Sequence, residues 1–439
     1  MTRTNARRPT RRQALALPLL LAPLQAAAAC SRSDAGATDG VITLQFWCWA
    51  PIAPAIDLWN RTHPRIRVEL SAPAGGASLF QRLSAAIVAG SGAPDLVQAD
   101  YPNLPTLAVA GYLEDLTDLA AGLRDAFVPA AWRQVVIGQR IWAVPQDMGP
   151  MGMFYRADLL DAHDLPVPST WEEFRDVAER LRRAAPGRYL TAFPQGDMYW
   201  FAALAAANGA EWFGTEDDAW RVSIDGPQAR RTAEYWTGLL DDGLVTIRQH
   251  WNPAWHQALQ DGTLAAWLAP AWGLTTLVSY PPNDPDGVWR AAPLPRADPD
   301  RPASGPWGGS STAIVRGSAH VEAAMEFAAW LNTDGEAADL MSDPENAALF
   351  PASVSGQDRP AVARPQQVLG GQRSGEVFRE AAAHTRPMIW GPTMDQVRDD
   401  FIDAVTVALN EGESLTTALT STQDRTVEAL ERKGLGVRT

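Results

Sequence analysis

Eighteen tryptophans and a scatter of carboxylates near strand ends are the residues of this 439-residue chain best suited to chemistry. An indole offers a broad apolar face and one N–H donor, so it suits flat faces of C–H groups and leaves nearby hydroxyls to polar side chains. A sugar ring presents such a surface. Trp47, Trp49, Trp200, Trp272, Trp307 and Trp390 fall in loops at expected strand ends, whereas Trp171, Trp236 and Trp330 fall on core faces of helices. For any single loop indole, core packing competes with ligand contact; packing alone explains the whole set poorly. Asp100, Asp147 and Asp197 each follow an expected strand, and an ionised carboxylate accepts two hydrogen bonds from adjacent hydroxyls. A helix N-cap or a solvated loop acid is the competing role for each. Tyr101 and Tyr199 add hydroxyl donors. In PWGGSS, Gly308 and Gly309 allow backbone to approach a ligand, or form a plain turn.

Enzyme signatures are missing. The six histidines show no i, i+4 metal-binding pair with a glutamate, and His250 and His256, which flank Trp251 and Trp255, are six apart. There is no Gly-x-Ser-x-Gly elbow and no Gly-x-Gly-x-x-Gly followed by an acid. Lys433 is the only lysine, which rules out a P-loop or Schiff-base lysine in the body of the chain. No cofactor and no metal are called for. A glycoside hydrolase needs only two carboxylates roughly 5–9 Å apart, and that geometry stays open.

The elements that must position these residues follow from length and periodicity. A chain this long implies two or three domains, and 46% hydrophobic with 20% charged residues is a globular composition. Arg3, Arg7, Arg8, Arg11 and Arg12, the apolar run Ala14–Ala29 and then Cys30 read as an export signal. A membrane anchor helix is the competing reading, although the run is short and holds Pro18, Pro23 and Gln25. The formal net charge of −14 grows more negative once those arginines are cleaved away, which disfavours nucleic acid and anionic membranes as partners. Cys48, within an apolar strand, reads as a buried small hydrophobe.

Val41–Trp49, Ile66–Leu70 and Pro94–Ala99 read as strands separated by helices over Ala53–Asn60 and about Leu79–Ile87. That order predicts a parallel sheet whose ligands sit beyond the carboxyl ends, Trp47–Pro51 and Asp100–Tyr101. Ile141–Leu160 reads as a strand ending at Pro145, a loop Gln146–Met151 and a strand Gly152–Tyr155. Thr170 and Glu173 then have capping-box spacing, with Trp171, Phe174, Val177, Ala178 and Leu181 on one helical face. Further strands are expected at Tyr189–Phe193, Trp289–Ala292 and Ser310–Val315. Helices are expected to Ala207 after the loop Pro194–Trp200, after Pro227, and over His320–Leu331, Met394–Leu409 and Leu415–Leu430.

The wording VPQDMGPMGMFYRADLLDAHDLPVPSTWEEF, together with Gly262–Gly273 and Gly308–Leu331, resembles the sugar-binding group of the extracellular solute-binding proteins of bacterial ABC importers. The resemblance spans about Val41 to Leu430. It implies an α/β, periplasmic-binding-protein type II-like fold: two discontinuous α/β lobes joined by a hinge. Residues 41–147 and 305–352 would form lobe 1, and residues 148–304 and 353–439 lobe 2. Residues 1–29 would be the signal peptide and 30–40 a tether. It also implies capture of a carbohydrate by lobe closure and delivery to ABC permease subunits, with Trp272 and Trp390 as the foremost cleft indoles. Thr10-Arg11-Arg12 resembles a twin-arginine signal and Ala-Ala-Ala-Cys30 a lipobox, implying a lipidated Cys30, a membrane-anchored lipoprotein and a monomer. The expected ligand-binding set is Trp47, Trp49, Asp100, Tyr101, Asp147, Asp197, Trp200, Trp272, Trp307, Gly308 and Trp390. A binding protein for a different solute is the nearer alternative and a secreted hydrolase the farther one.

Overall fold

The computed structural model describes residues 40–72, 76–217 and 219–439; the export signal and Cys30 lie outside them. Strands β1 (Ile42–Trp47), β2 (Ile66–Ser71) and β3 (Leu96–Asp100) alternate with helices α1 (Ala53–Thr62) and α2 (Gly76–Ala89). Strand β4 (Val144–Pro145) follows, then β5 (Met151–Arg156), α3 (Trp171–Ala184), α4 (Met198–Ala207) and α5 (Pro227–Asp241). Next come β6 (Ala266–Pro270), β7 (Trp289–Pro293), β8 (Ser310–Ile314), α6 (Val321–Thr333), α7 (Met394–Glu411) and α8 (Leu415–Arg432).

The first sheet has the order β2-β1-β3-β8-β4. As its βαβ connections require, β1 pairs in parallel with β2 and β3, in register Ile42↔Ile66 and Phe46↔Leu96. β8 enters antiparallel, placing Ser310 opposite Asp100. Helix α6 seals this sheet: Phe327 meets Trp59 edge to face at 5.3 Å, and the Trp59 indole N–H donates to the Ile66 carbonyl.

The second sheet puts β5 between β6 and β7, both antiparallel to it. Helix α3 begins as its sequence dictates. Thr170 accepts from the Glu173 backbone N–H while the Glu173 carboxylate reaches back to the Thr170 N–H, a box worth about 1 kcal/mol. Its predicted face, Trp171, Phe174, Val177, Ala178 and Leu181, is buried.

Between the sheets the chain crosses three times. Asp147–Met148 pairs antiparallel with Phe350–Pro351, Pro150 bridges Pro306, and the Trp307 N–H donates to the Gly149 carbonyl at 2.9 Å. A Cβ on Gly149 would sit 1.9 Å from the Trp307 carbonyl oxygen, so only glycine lets these crossings touch. Here the structure corrects the sequence reading. Gln146–Met151 is not all loop, because Asp147 and Met148 keep their backbone donors between two prolines and find a strand partner some 200 residues away. A second correction concerns Trp200, which lies inside α4 and not in the preceding loop. The expected strand at Tyr189–Phe193 shrinks to Ala192–Phe193, paired in parallel with Thr246–Ile247.

Candidate functional site

The carboxyl end of β3 and the glycines before β8 build one wall. The Tyr101 N–H donates to the Gly309 carbonyl, and the Tyr101 hydroxyl donates to the Asp147 carbonyl at 3.0 Å. Gly309 has φ +97°, and a Cβ there would lie 2.8 Å from the Tyr101 ring. Gly308 has φ +78° and faces the Trp272 indole, whose nitrogen would be 3.2 Å from an added Cβ. The Trp272 N–H donates to the Trp307 carbonyl, and the indole is partly exposed.

The two carboxylates of this wall have different duties. Asp147 is 3% exposed, and one of its oxygens accepts from both the Ser310 N–H (2.8 Å) and the Ser310 hydroxyl (2.5 Å). Burial nonetheless pushes Asp147 up to about 6, with the Ser310 bonds opposing the rise. Asp147 thus ties the first crossing to β8. Asp100 is half-buried, and among the described residues its carboxylate has no hydrogen-bond or ion-pair partner. Burial first, then the charges of Asp147 and Asp395, push it up to about 7. A partly buried acid without a donor is what an incoming hydroxyl would complete.

Gln98 holds the β1 end in place. Its carbonyl oxygen accepts from the Cys48 thiol and from the backbone N–H groups of Trp49 and Ala50, and its amide donates to the Ser310 hydroxyl. Half-buried Trp49 therefore stands beside the wall. Trp47 is 6% exposed, with the Arg82 guanidinium 4.2 Å above its ring, so that face is covered.

Opposite lies the start of α4. Asp197 caps this helix through the Trp200 N–H (3.0 Å) and its other oxygen bonds His250 Nδ1 (3.0 Å), so both oxygens have protein partners. Tyr199 is half-buried, and burial raises its hydroxyl; Arg398 opposes that rise, while Asp395, Asp100 and Asp197 reinforce it. Those influences mark one polar locus shared by β3, α4 and the first turn of α7, where Arg398 bonds Asp395 at 3.0 Å. Trp200, expected to line the cleft, is 1% exposed; its N–H donates to the Leu268 carbonyl and its ring meets Trp236 at 4.9 Å. It packs the core. Trp390, also expected there, is 3% exposed and donates to the Gln134 side chain at 3.1 Å, with Tyr199 against its ring at 5.7 Å.

The structure also gathers residues the sequence reading did not select: His250, Trp251, Trp255 and Trp267 join the expected Trp272 and Trp307 in one aromatic cluster, with His250–Trp307 and Trp272–Trp307 centroids both at 5.3 Å. Trp251 is 48% exposed and has φ +66°, a backbone state costing a bulky residue about 1–2 kcal/mol. The Asn252-Pro253 step, a turn and helix-start signal, was the one available hint. Asp395 and Arg398 gave none, being one of many i, i+3 pairs on helices. Among the described residues, no group of three or more His, Cys, Asp or Glu is disposed to hold a metal ion.

Two α/β sheets joined by three touching crossings, with polar and indole side chains converging beside them, define a two-lobed solute-binding architecture. The chain belongs to the bacterial extracellular solute-binding protein family, which matches residues 49–338. The type II periplasmic-binding-protein fold expected from the sequence is borne out. It is 22% identical over 318 residues to the arabinooligosaccharide-binding protein of Bacillus subtilis, covering 69% of this chain and 72% of that one. With the lactose-binding protein of Rhizobium radiobacter it shares 23% identity over 308 residues, 66% of this chain and 69% of the relative. Among solved structures, the galacto-N-biose/lacto-N-biose I-binding protein of a Bifidobacterium longum ABC transporter, in complex with lacto-N-biose, superposes with a TM-score of 0.81 at 26% identity. That match covers 91% of this chain and 99% of the other. An ABC-transporter-associated binding protein of B. animalis subsp. lactis, in complex with beta-1,6-galactobiose, gives 0.77 at 26% identity, covering 91% and 100%.

Proposed function

We propose that the protein captures a carbohydrate, a mono- to oligosaccharide, outside the cell and delivers it unchanged to the permease subunits of an ABC importer. The observation that carries this reading is the Asp100 carboxylate, without a partner among the described residues, beside a glycine-lined wall that ends at the partly exposed Trp272. Carboxylate and indole are the two surfaces an uncharged polyol uses, and the relatives named above are sugar binders. Trp49, Asp100, Trp272 and Gly308 are the direct contacts in this reading. Tyr101, Asp147 and Trp307 hold the wall. Residues 41–147 with 305–352 act as one lobe and residues 148–304 with 353–439 as the other. Ligand bridging both favours the closed arrangement. The chain acts as a monomer without a cofactor, is exported by its leader, and is held at the membrane by a lipidated Cys30.

A thermal-shift panel tests the ligand class: L-arabinose, D-galactose, arabinobiose, arabinotriose, lactose, beta-1,6-galactobiose and lacto-N-biose. A concentration-dependent rise in Tm with at least one carbohydrate, and its recovery intact by chromatography, is the expected result. A rise only with charged or non-sugar solutes would overturn it, and cleavage of the sugar would make the protein a hydrolase. Mass spectrometry of the mature N-terminus, wild type against Cys30→Ala, tests the anchor.

A further inference from the structure

We infer that Trp251 forms a second sugar-ring subsite beside Trp272, so that the preferred ligand has at least two linked rings; this rests on the carbohydrate reading above. Trp251 is the only aromatic residue with positive φ among the described residues, and its segment is otherwise firmly held. Gln249 accepts from the Gly196 N–H, His250 bonds Asp197, and the Asn252 side chain both donates to the Gln249 carbonyl and caps the next helix through the Trp255 N–H. Glycine or asparagine would fit that turn without strain. A tryptophan there keeps a large indole half in solvent against both backbone preference and burial. Strained residues of this kind persist where the surroundings enforce them and cluster at ligand sites.

The neighbours fix how the indole can act. Trp255 and Trp267 meet it edge to face at 5.3 and 5.8 Å, so the ring is braced. Trp272 lies 5.8 Å away, tilted by only 33°. A sugar ring sandwiched between two indoles needs two carbon contacts of about 3.5–4 Å each, roughly 7 Å in all. The two indoles therefore leave no room for a ring between them, and Trp251 offers its solvent-facing side as an extension of the Trp272 surface, not as an opposing jaw. From Asp100 the wall runs through Tyr101 and Gly309 to Gly308 and Trp272, then out to Trp251. One ring at Trp272 leaves the solvent-facing indole for the next ring along.

Isothermal titration of the full mature chain with the panel above provides the test, using Trp251→Gly, Trp251→Asn and Trp251→Phe. In the Gly and Asn variants the best disaccharide should bind at least tenfold more weakly, and its constituent monosaccharide less than threefold more weakly. Tm should be unchanged or higher, because the backbone strain is relieved, and Trp251→Phe should recover most of the loss. Disaccharide should also shift the wild-type tryptophan emission to the blue by an increment missing in Trp251→Phe. Parallel losses for mono- and disaccharide, unchanged disaccharide affinity, or a wild type that prefers monosaccharides would each overturn the inference while leaving carbohydrate capture intact. A wild type that binds no carbohydrate overturns both.

Discussion

Two aromatic clusters of similar composition lie in this protein, and they do opposite things. Trp171, Phe174, Phe193, Trp200, Tyr235 and Trp236 meet across the start of α3, the middle of α5 and the first turn of α4, largely edge to face. Apart from half-buried Tyr235 every member is buried, Tyr235 donates to the Trp171 carbonyl, and Trp200 donates to the Leu268 carbonyl. The second cluster, around Trp267 and Trp307, has an equally buried base but leaves Trp272 partly open and Trp251 half in water. The first has spent its faces on itself. The second ends in unspent ones, next to glycines and an unpartnered acid. Indole count does not separate a core from a site; the fate of the ring faces does.

The sharpest way to break that contrast is to remove one ring from each cluster. Trp200→Ala should cost about 3–5 kcal/mol of stability, since a fully enclosed ring leaves a cavity its helical neighbours cannot fill. Urea unfolding measures this, and Trp200→Ala that does fold should keep its sugar affinity. Trp272→Ala should behave in reverse. Its affinity should drop by about 2–3 kcal/mol, as at a stacking hot spot, while Tm falls only a few degrees. If both variants lost stability and affinity alike, the two clusters would be one core.

Much of this was legible beforehand, for a physical reason. Periodicity and caps are local, so the Thr170–Glu173 box and the buried face of α3 followed from a few adjacent letters. The first sheet followed from alternating apolar strands and helices. Side-chain fate is not local. Trp200 sits at the end of an expected loop and Trp251 outside every expected element, yet one turned inward because Asp197 started the helix three residues early. The other turned outward because the 249–252 turn is pinned to the 196–197 loop. Asp100 and Asp147 looked alike in sequence, and only the Ser310 donors on a strand far along the chain tell them apart.

Asp100 sharpens the comparison through charge. Its folded value of about 7 lies above the ordinary 3.8, so the folded state holds the proton more tightly than the unfolded chain does. Stability from this group is complete at acid pH and is lost as pH rises from about 4 through about 7. Asp147, at about 6, adds a slope of the same sign; Asp395, Tyr199 and Arg398 are the other groups facing this locus. Asp100→Asn should therefore stabilise the ligand-free protein at pH 8 by roughly 2 kcal/mol, about half the full linkage value because solvent screens the partly exposed carboxylate, and leave it unchanged below pH 4. Urea titrations at pH 4, 6 and 8 check it. The same substitution should weaken sugar binding at pH 8, the pattern of a group kept for ligand and not for the fold. A destabilised Asn variant at pH 8 would mean that Asp100 has a structural partner after all.

The smallest effect concerns Trp390, an indole that belongs to neither cluster. Its N–H donates to Gln134, and nearby the Thr106 hydroxyl donates to the Pro392 carbonyl at 2.9 Å. Both bonds join the segment before α7 to residues 41–147, so under the proposed lobe assignment both break on opening. Trp390→Phe keeps most of the ring and deletes one donor, leaving the Gln134 oxygen to find water. A net hydrogen bond is worth about 1 kcal/mol, so the closed arrangement should be disfavoured by that amount and apparent affinity should fall by about two- to fivefold, depending on how much of the ligand-free protein is closed. Small-angle scattering of the ligand-free variant should show a larger radius of gyration than the wild type. Gln134→Leu should reproduce both changes, and the double variant should add little to either. If affinity falls without any change in scattering, Trp390 touches the ligand itself; if neither changes, the contact is a passive seam between lobes that open elsewhere.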